Sequence, residues 1–501
     1  MFEVQRILKY RETPLLDSHS CLMEDLSQDL DFHEEKSDYS SPNFHSFPAK
    51  FPPQLPKLFI ERLTCPGEVV LDPMAGSGTT VLEAFLANRQ TIGIDIDPLA
   101  TLLTKVKSTP IDLDRVLCSG NRVLTNAKSR LSTPYSMPTE SPWDSKTSSF
   151  VDYWFTKDTQ LELSALIEEI NLTQDVEVRQ FLLLTFSSII ITKSGGVSLA
   201  LDLAHTRPHR VKMARDAAGT EIYLDQLQTN RRLDFQVKTL RSPLADFEKR
   251  LSQNIESLAL LNDHQQSLFS DNHRHWSSHR PVVLSGNAQA LPLSSNSVDL
   301  IVTSPPYASN AIDYMRAHKF SLVWMQHSID ELSLDRNHYI GAEAASSFPK
   351  DYLPPRTQAV VNHIGEFDRK KSLSVARYYS DMFCVLREMN RVLKPGRCAI
   401  LVVSSSQIKG VDTCVDECLA EIGALAGLET PQITERRIDR NRRMMPAAHQ
   451  KNLNSMIEKR MDREFVIGFY KPIAGKPIKD NDNGHKTYSS ALPSGDRRSN
   501  H

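Results

Sequence analysis

The chain has 501 residues, 40% hydrophobic and 24% charged, with a formal net charge of −2. This composition excludes a mostly disordered, collagen-like or coiled-coil protein, and the length allows about three domains or one elaborated domain. No run approaches the ~20 uncharged apolar residues of a membrane span. The best candidate, 185–204, is broken by Lys193, Ser194, Gly195 and Gly196, and the N-terminus lacks a signal peptide's apolar core. Seven scattered cysteines imply reduced thiols and a cytoplasmic location. Cys414 and Cys418 lie four apart in an expected helix with no other Cys or His nearby, so they read as small buried residues and no metal site is expected. Charge is unevenly spread. Residues 1–40 are acidic, whereas 205–250 and 431–463 are basic. A near-neutral total therefore does not exclude a polyanionic partner.

In chain order, 1–43 reads as an acidic, partly ordered arm, and FHSFPAKFPPQLPK (44–57) as a proline-punctuated loop before a short helix at 58–63. EVVL (68–71) reads as a buried strand, DPMAGSGTT as a turn, VLEAFLAN (81–88) as a helix and TIGIDI (91–96) as the next strand. Strand, turn, helix, strand is a βαβ unit, so the sheet is parallel. Residues 111–280 lack that rhythm. Helical periodicity at 158–172 and 176–192 makes them a mostly helical insert that passes into a basic stretch. Strand patterns return in PVVLS and SVDLIVT, the latter ending in a Pro-Pro turn. A helix over 378–392 with Gly396 as its stop, a strand over 397–404 and a last strand over 464–470 follow. The composition of 472–501 predicts a disordered tail. The expected partition is an arm (1–43), two halves of one α/β domain (44–110 and 281–471), the insert (111–280) and the tail.

The turn LDPMAGSGTT carries the first chemical signal. Gly76 and Gly78 let backbone approach a ligand, and the helix that follows offers free N–H groups. It is not a P-loop, because Thr79 and Thr80 follow Gly78 where Lys-Ser/Thr is required. It is not a dinucleotide fingerprint, because Val81 replaces the third glycine. What remains is Asp72 before the glycines, placed for a cationic amino group, and Asp95 at the next strand's end, placed for ribose hydroxyls. S-adenosylmethionine carries both groups; the competing reading is a generic tight turn.

The second signal is DLIVTSPPY. Ser304, Pro305, Pro306 and Tyr307 leave the carboxyl end of a strand, where open α/β sheets hold ligands. The prolines stiffen the loop and remove two donors, leaving the Ser304 and Pro305 carbonyls and the Ser304 hydroxyl as acceptors. Acceptors that bind both protons of an exocyclic amine pull its nitrogen toward tetrahedral geometry and free the lone pair, and Tyr307 offers a face for a planar base.

With these two loops the chain resembles the S-adenosylmethionine-dependent amino-methyltransferases of DNA. FHSFPAKFPPQL resembles the segment that helps enclose methionine, GNAQALPL the loop that contacts adenine, and RVLKPGR the stretch before a strand; together the likeness covers roughly half the chain. The resemblance implies an α/β, Rossmann-like methyltransferase sheet, mostly parallel with its last strand antiparallel. It implies S-adenosylmethionine bound by Phe47, Lys50, Asp72, Pro73, Ala75, Gly76, Gly78, Thr79, Asp95, Asn287 and Ala288. It implies catalysis by Ser304, Pro305, Pro306 and Tyr307. Asn287 departs from the acid often found at its position. In this family a serine-led SPPY is associated with cytosine N4, whereas DPPY or NPPY more often marks adenine N6, RNA or protein glutamine. The expected function is therefore N4 methylation of cytosine in double-stranded DNA, as the modification partner of a separately encoded restriction endonuclease. An adenine-N6 or RNA amino-methyltransferase is the alternative, and a non-catalytic nucleic-acid-binding regulator is a distant third.

Two regions compete to read DNA: the insert, around 205–212 and 231–232, and the basic segment with Arg437, Arg440, Arg442 and Arg443. A helix expected within 310–324 sits just after the Pro-Pro turn, placing Arg316, His318 and Lys319 near the DNA backbone, and 339–341 marks a loop near the same face.

Overall fold

The computed structural model describes residues 17–32, 44–46, 52–132, 142–192, 194–201, 203, 208–215, 219–223, 237–269, 280–308, 313–341, 353–404, 406–408, 410–437 and 463–473. Seven strands form the central sheet: β1 (Val69–Asp72), β2 (Gln90–Asp95), β3 (Val282–Ser285), β4 (Val298–Thr303), β5 (Leu393–Ser404), β6 (Glu429–Arg437) and β7 (Arg463–Tyr470). Their order is β6-β7-β5-β4-β1-β2-β3. All neighbours from β5 to β3 pair in parallel, and the last strand, β7, runs antiparallel to both β5 and β6. The expected sheet is present. Order reverses beside β1: β2 and β3 lie on one side, β4 and β5 on the other. Such a switch point opens a crevice at the carboxyl ends of the central strands. The register Val70↔Leu300 and Leu71↔Ile301 places the loops after β1 and β4 side by side there.

The described helices are α1 (Ser18–Leu26), α2 (Gln54–Leu63), α3 (Thr79–Leu86), α4 (Pro98–Ser108), α5 (Leu113–Ser132), α6 (Ser145–Trp154), α7 (Lys157–Asn171), α8 (Val176–Ile190), α9 (Pro243–Phe269), α10 (Met315–Leu322), α11 (Ile329–Asn337), α12 (Pro355–Phe367), α13 (Arg369–Val392) and α14 (Val415–Leu425). Every residue of β4 is buried, as a strand covered on both faces must be. On one face Leu22 and Leu26 of α1 and Leu55, Phe59 and Leu63 of α2 pack on Val70, Leu300, Val302 and Val402. On the other, Tyr379, Met382 and Met389 of α13 and Leu419 of α14 cover Leu71, Ile301, Leu401 and Val403. The acidic arm thus contributes a helix to the sheet's covering layer.

Between β2 and β3 the insert supplies α5 to α9 and a three-stranded sheet of Met213–Arg215, Glu221–Tyr223 and Val237–Thr239. Its small sheet has a minor apolar cluster of its own, Leu199, Val211, Ala214 and Leu240, but its helices do not build a separate core. Leu163, Phe181 and Phe186 belong to one apolar cluster with Leu82 of α3, Leu99 and Leu103 of α4, and Phe320 and Trp324.

Two local expectations are corrected. Gly396 does not stop α13: the helix gives way to β5 at Leu393, and Gly396, at φ +77°, lies within the strand's span, its N–H donating to the Lys471 carbonyl at 2.8 Å. Edge strand β6 was not anticipated. Its sequence, ETPQITERR, is polar and its residues are mostly half-buried, so it lacks the apolar run of an interior strand.

Candidate active site

The turn after β1 is shaped from within the protein. Gly76 and Gly78 have φ of +49° and +77°, a backbone that glycine adopts without steric cost. A Cβ on Gly78 would lie 2.8 Å from Thr104 Oγ1 of α4. Gly78 therefore serves helix packing and does not line the cleft, whereas Gly76 does. The Gly76 N–H donates to Asp95 Oδ2 at 2.7 Å, tying the turn to the end of β2.

Three acids stand at this edge, Asp72 and Asp97 buried and Asp95 half-buried, and their surroundings differ. Asp72 accepts from the Thr303 hydroxyl at 2.7 Å and the Met74 N–H at 3.2 Å. Burial outweighs these bonds and pushes its carboxyl up to about 6. Asp95 accepts from the N–H groups of Gly76 and Asp97 (2.7 and 2.9 Å). Burial, followed by the charge of Asp97, pushes it up to about 7. Asp97 is buried too, but its interactions with His318 (Nδ1 at 2.6 Å), the Tyr339 hydroxyl (2.9 Å) and the Leu99 N–H (2.8 Å) outweigh desolvation and hold it below the usual carboxylate range. Asp97 has its partners inside the protein. Asp72 and Asp95 have no cationic partner among the described residues, which leaves them suited to a cation and to hydroxyl donors from a ligand.

Across the switch point, the loop after β4 commits its protons to the protein. The Ser304 hydroxyl donates to the Val402 carbonyl of β5 at 2.9 Å. This turns the Ser304 oxygen into an acceptor for any further group. The Tyr307 hydroxyl donates to Glu464 Oε1 of β7 at 3.2 Å. Burial and then the Glu464 charge raise its pKa well above normal, so it remains a neutral donor. Thr303 links this loop to the other through its bond to Asp72.

One cleft joins the two loops and encloses about 1130 Å³ of space, including solvent at its mouth. Of the residues expected from the sequence, Asp72, Pro73, Ala75, Gly76, Thr79, Asp95, Asn287, Ala288, Ser304, Pro305, Pro306 and Tyr307 line it. Phe47 and Lys50 lie outside the described residues. Of the described residues before them, Phe44 packs on Phe181 with ring centroids 5.8 Å apart, and His45 Nε2 is 3.0 Å from Ser187 Oγ of α8. Asn287 Oδ1 accepts from the Gln289 N–H at 2.9 Å, which engages its carbonyl in the local turn.

Sequence reasoning missed Asp97, Tyr314 and His338 as cleft residues and gave no role to Tyr339 and Ile340, which also line it. The acid-Pro pair at 97–98 is a helix-start signal and marks Asp97 as the cap of α4. Nothing in the local sequence marks the aromatic residues, which arrive from around α10 and α11.

Beside the mouth, Arg316 Nε and Arg336 Nη2 lie 2.8 and 2.5 Å from the single carboxylate of Asp313. The Lys319 ammonium sits 5.1 Å over the Phe150 ring of the insert. Arg437 is exposed at the carboxyl end of β6, on the same sheet edge as the Pro-Pro turn, with its N–H donating to Asp31 at 2.6 Å. Arg440, Arg442 and Arg443 lie outside the described residues.

The chain matches the family model described as DNA methylase over residues 25–105 and 298–463. These segments carry the two loops and leave the whole insert, 111–280, unmatched. The chain is similar to the Type II methyltransferase M.MvaI of Kocuria varians, at 23% identity over 435 residues, covering 83% of this chain and 88% of the relative. It is also similar to M.AvaI of a Nostoc species, at 23% identity over 401 residues, 73% of this chain and 74% of the relative. A shorter likeness, 34% over 92 residues, covers 18% of this chain and 17% of M.MjaII of Methanocaldococcus jannaschii.

Proposed function

The chain belongs to the DNA methylase family, and from that premise we propose that it methylates the exocyclic N4 of cytosine in double-stranded DNA, using S-adenosylmethionine. The observation that carries the reading is Ser304: its proton is committed to the Val402 carbonyl, so its oxygen faces a substrate amine as an acceptor.

The donor set fits the cofactor. A carboxylate withdrawn from water without a cation is costly, and Asp72, buried, and Asp95, half-buried, are two such groups lining one cleft. Asp72 would hold the ammonium and Asp95 the ribose hydroxyls, with Asn287 and Ala288 beside the adenine. Bound S-adenosylmethionine supplies an electrophilic methyl group. The chain's own task is then positioning and electrostatics. The target base leaves the stack, which costs a few kcal/mol, and rests on Tyr307. Ser304 and the Pro305 carbonyl accept the two amine protons and localise the nitrogen lone pair. The proline at 306 has no N–H that could compete for it. Arg316, Arg336, Lys319 and Arg437 are proposed to meet the DNA backbone, since one carboxylate, Asp313, faces both Arg316 and Arg336.

The relatives carry the name Type II methyltransferase. The proposed setting is accordingly cytoplasmic, protecting host DNA from a separately encoded endonuclease. The test is nucleoside mass spectrometry of DNA treated with the purified protein and labelled cofactor. Label in N4-methyldeoxycytidine is expected; label in N6-methyldeoxyadenosine would replace cytosine with adenine as the target.

A further inference from the structure

Glu464 and Arg436 are cross-strand partners on β7 and β6, and Glu464 also faces Ser404 on β5. Both are buried, with exposures of 7% and 3%. Arg436 Nη1 lies 3.5 Å from Glu464 Oε2, while neither Nε nor Nη1 of Arg436 has a hydrogen-bond partner among the described residues. A buried pair with an unsatisfied guanidinium N–H is a poor way to stabilise a sheet, because desolvation consumes most of the attraction and apolar residues do as well. Its other contact points elsewhere: Glu464 Oε1 accepts from the Tyr307 hydroxyl, 157 positions away in the chain.

We propose that Glu464, held by Arg436, is a positioning residue that fixes the Tyr307 ring for the target base. The ring is then anchored at both ends, by the stiff Pro-Pro backbone and by the sheet beneath it. Without the carboxylate, the phenol end is free to turn about its side-chain torsions. Burial raises the Glu464 carboxyl and Arg436 opposes that rise, favouring the ionised, stronger acceptor. Tyr314 is the other titratable group close enough to influence Tyr307. The inference rests on the reading of Tyr307 as the platform for the base.

A double-mutant cycle tests it. Tyr307→Phe keeps the ring and removes the anchor, and kcat is expected to fall about tenfold, the scale of one lost positioning hydrogen bond. Replacing the pair together, Arg436→Met with Glu464→Leu, avoids leaving a bare buried charge and is expected to give a similar fall. Combining the three should cost no more than about twofold beyond Tyr307→Phe alone. Cofactor affinity should stay within about twofold throughout. A probe 2-aminopurine at the target position should lose in each variant the quenching that stacking on Tyr307 produces. If the paired variant fails to fold, Glu464→Gln supplies the cycle: it should lower kcat about threefold in the wild-type background and not at all with Phe at 307. Equal losses in both backgrounds, or no loss in the wild-type background, would overturn the proposal. Full activity of Tyr307→Ala would instead defeat the reading of Tyr307 itself.

Discussion

The two walls of the cleft solve different problems. The glycine-turn wall holds Asp72 buried and Asp95 half-buried, with no cation opposite either among the described residues. Four other buried acids are matched inside the protein: Asp97 by His318 at 2.6 Å, Asp299 by Lys394 at 2.8 Å, Asp25 by Arg62 at 2.9 Å and Glu464 by Arg436 at 3.5 Å. The Pro-Pro wall presents neutral groups whose protons are already placed, Ser304 on Val402 and Tyr307 on Glu464. Holding a cation requires negative charge that the fold leaves unmatched. Orienting a neutral amine requires lone pairs that cannot turn away. Burial alone does not mark a functional acid; a missing internal partner does.

The contrast can be broken by substitution. The largest effect is expected on the Pro-Pro wall: Ser304→Ala and Tyr307→Ala should each lower kcat at least about 100-fold, with cofactor affinity within about threefold. Isothermal calorimetry and methyl-transfer assays on the same preparations separate the two quantities. On the other wall, Asp72→Asn should do the reverse first, weakening cofactor binding roughly 100-fold through loss of a charge-assisted contact. A Kd unchanged in that variant would contradict the assignment.

The pH dependence sharpens the same point. A carboxyl raised above its unfolded value favours the neutral form in the fold, so its contribution to stability is present at low pH and lost as pH rises through the folded value. For Asp72 and Asp95, at about 6 and about 7, that loss falls between roughly pH 4 and pH 7. A bound cation favours ionised Asp72 and reverses the cost. Thermal stabilisation by S-adenosylmethionine should therefore grow from pH 5 to pH 8, with affinity about tenfold weaker at pH 5. A flat profile would mean the acids are not the cofactor's partners. The smallest effect is expected from Arg336→Ala beside Asp313, which should reduce the salt dependence of DNA binding by about one unit of slope and leave base choice unchanged.

Much of this was legible in the sequence because both walls begin at ends of apolar strands and carry residues with restricted backbone or fixed chemistry. The strand runs VVLD and VDLIVT announced interior positions, and the prolines and glycines announced the loops. The packing role of Gly78 was hidden because a glycine can serve a ligand or a neighbouring helix, and only tertiary packing brings Thr104 against it. Strand β6 was hidden because a polar strand at the sheet edge has no apolar run. The insert looked detachable because it lacks βαβ rhythm, yet its helices share a core with α3, α4 and α10. Tyr314 was invisible as a site residue, and Tyr339 was legible only as part of a loop near that face, because their place at the cleft depends on how α10 and α11 pack.

The most direct measurement is a base-resolved methylome of cells expressing the protein, compared with cells carrying Ser304→Ala. N4-methylcytosine at one recurring sequence, lost in the variant, is the expected result. N6-methyladenine at that sequence, or N4-methylcytosine persisting without the Ser304 hydroxyl, would contradict the central role given to that acceptor.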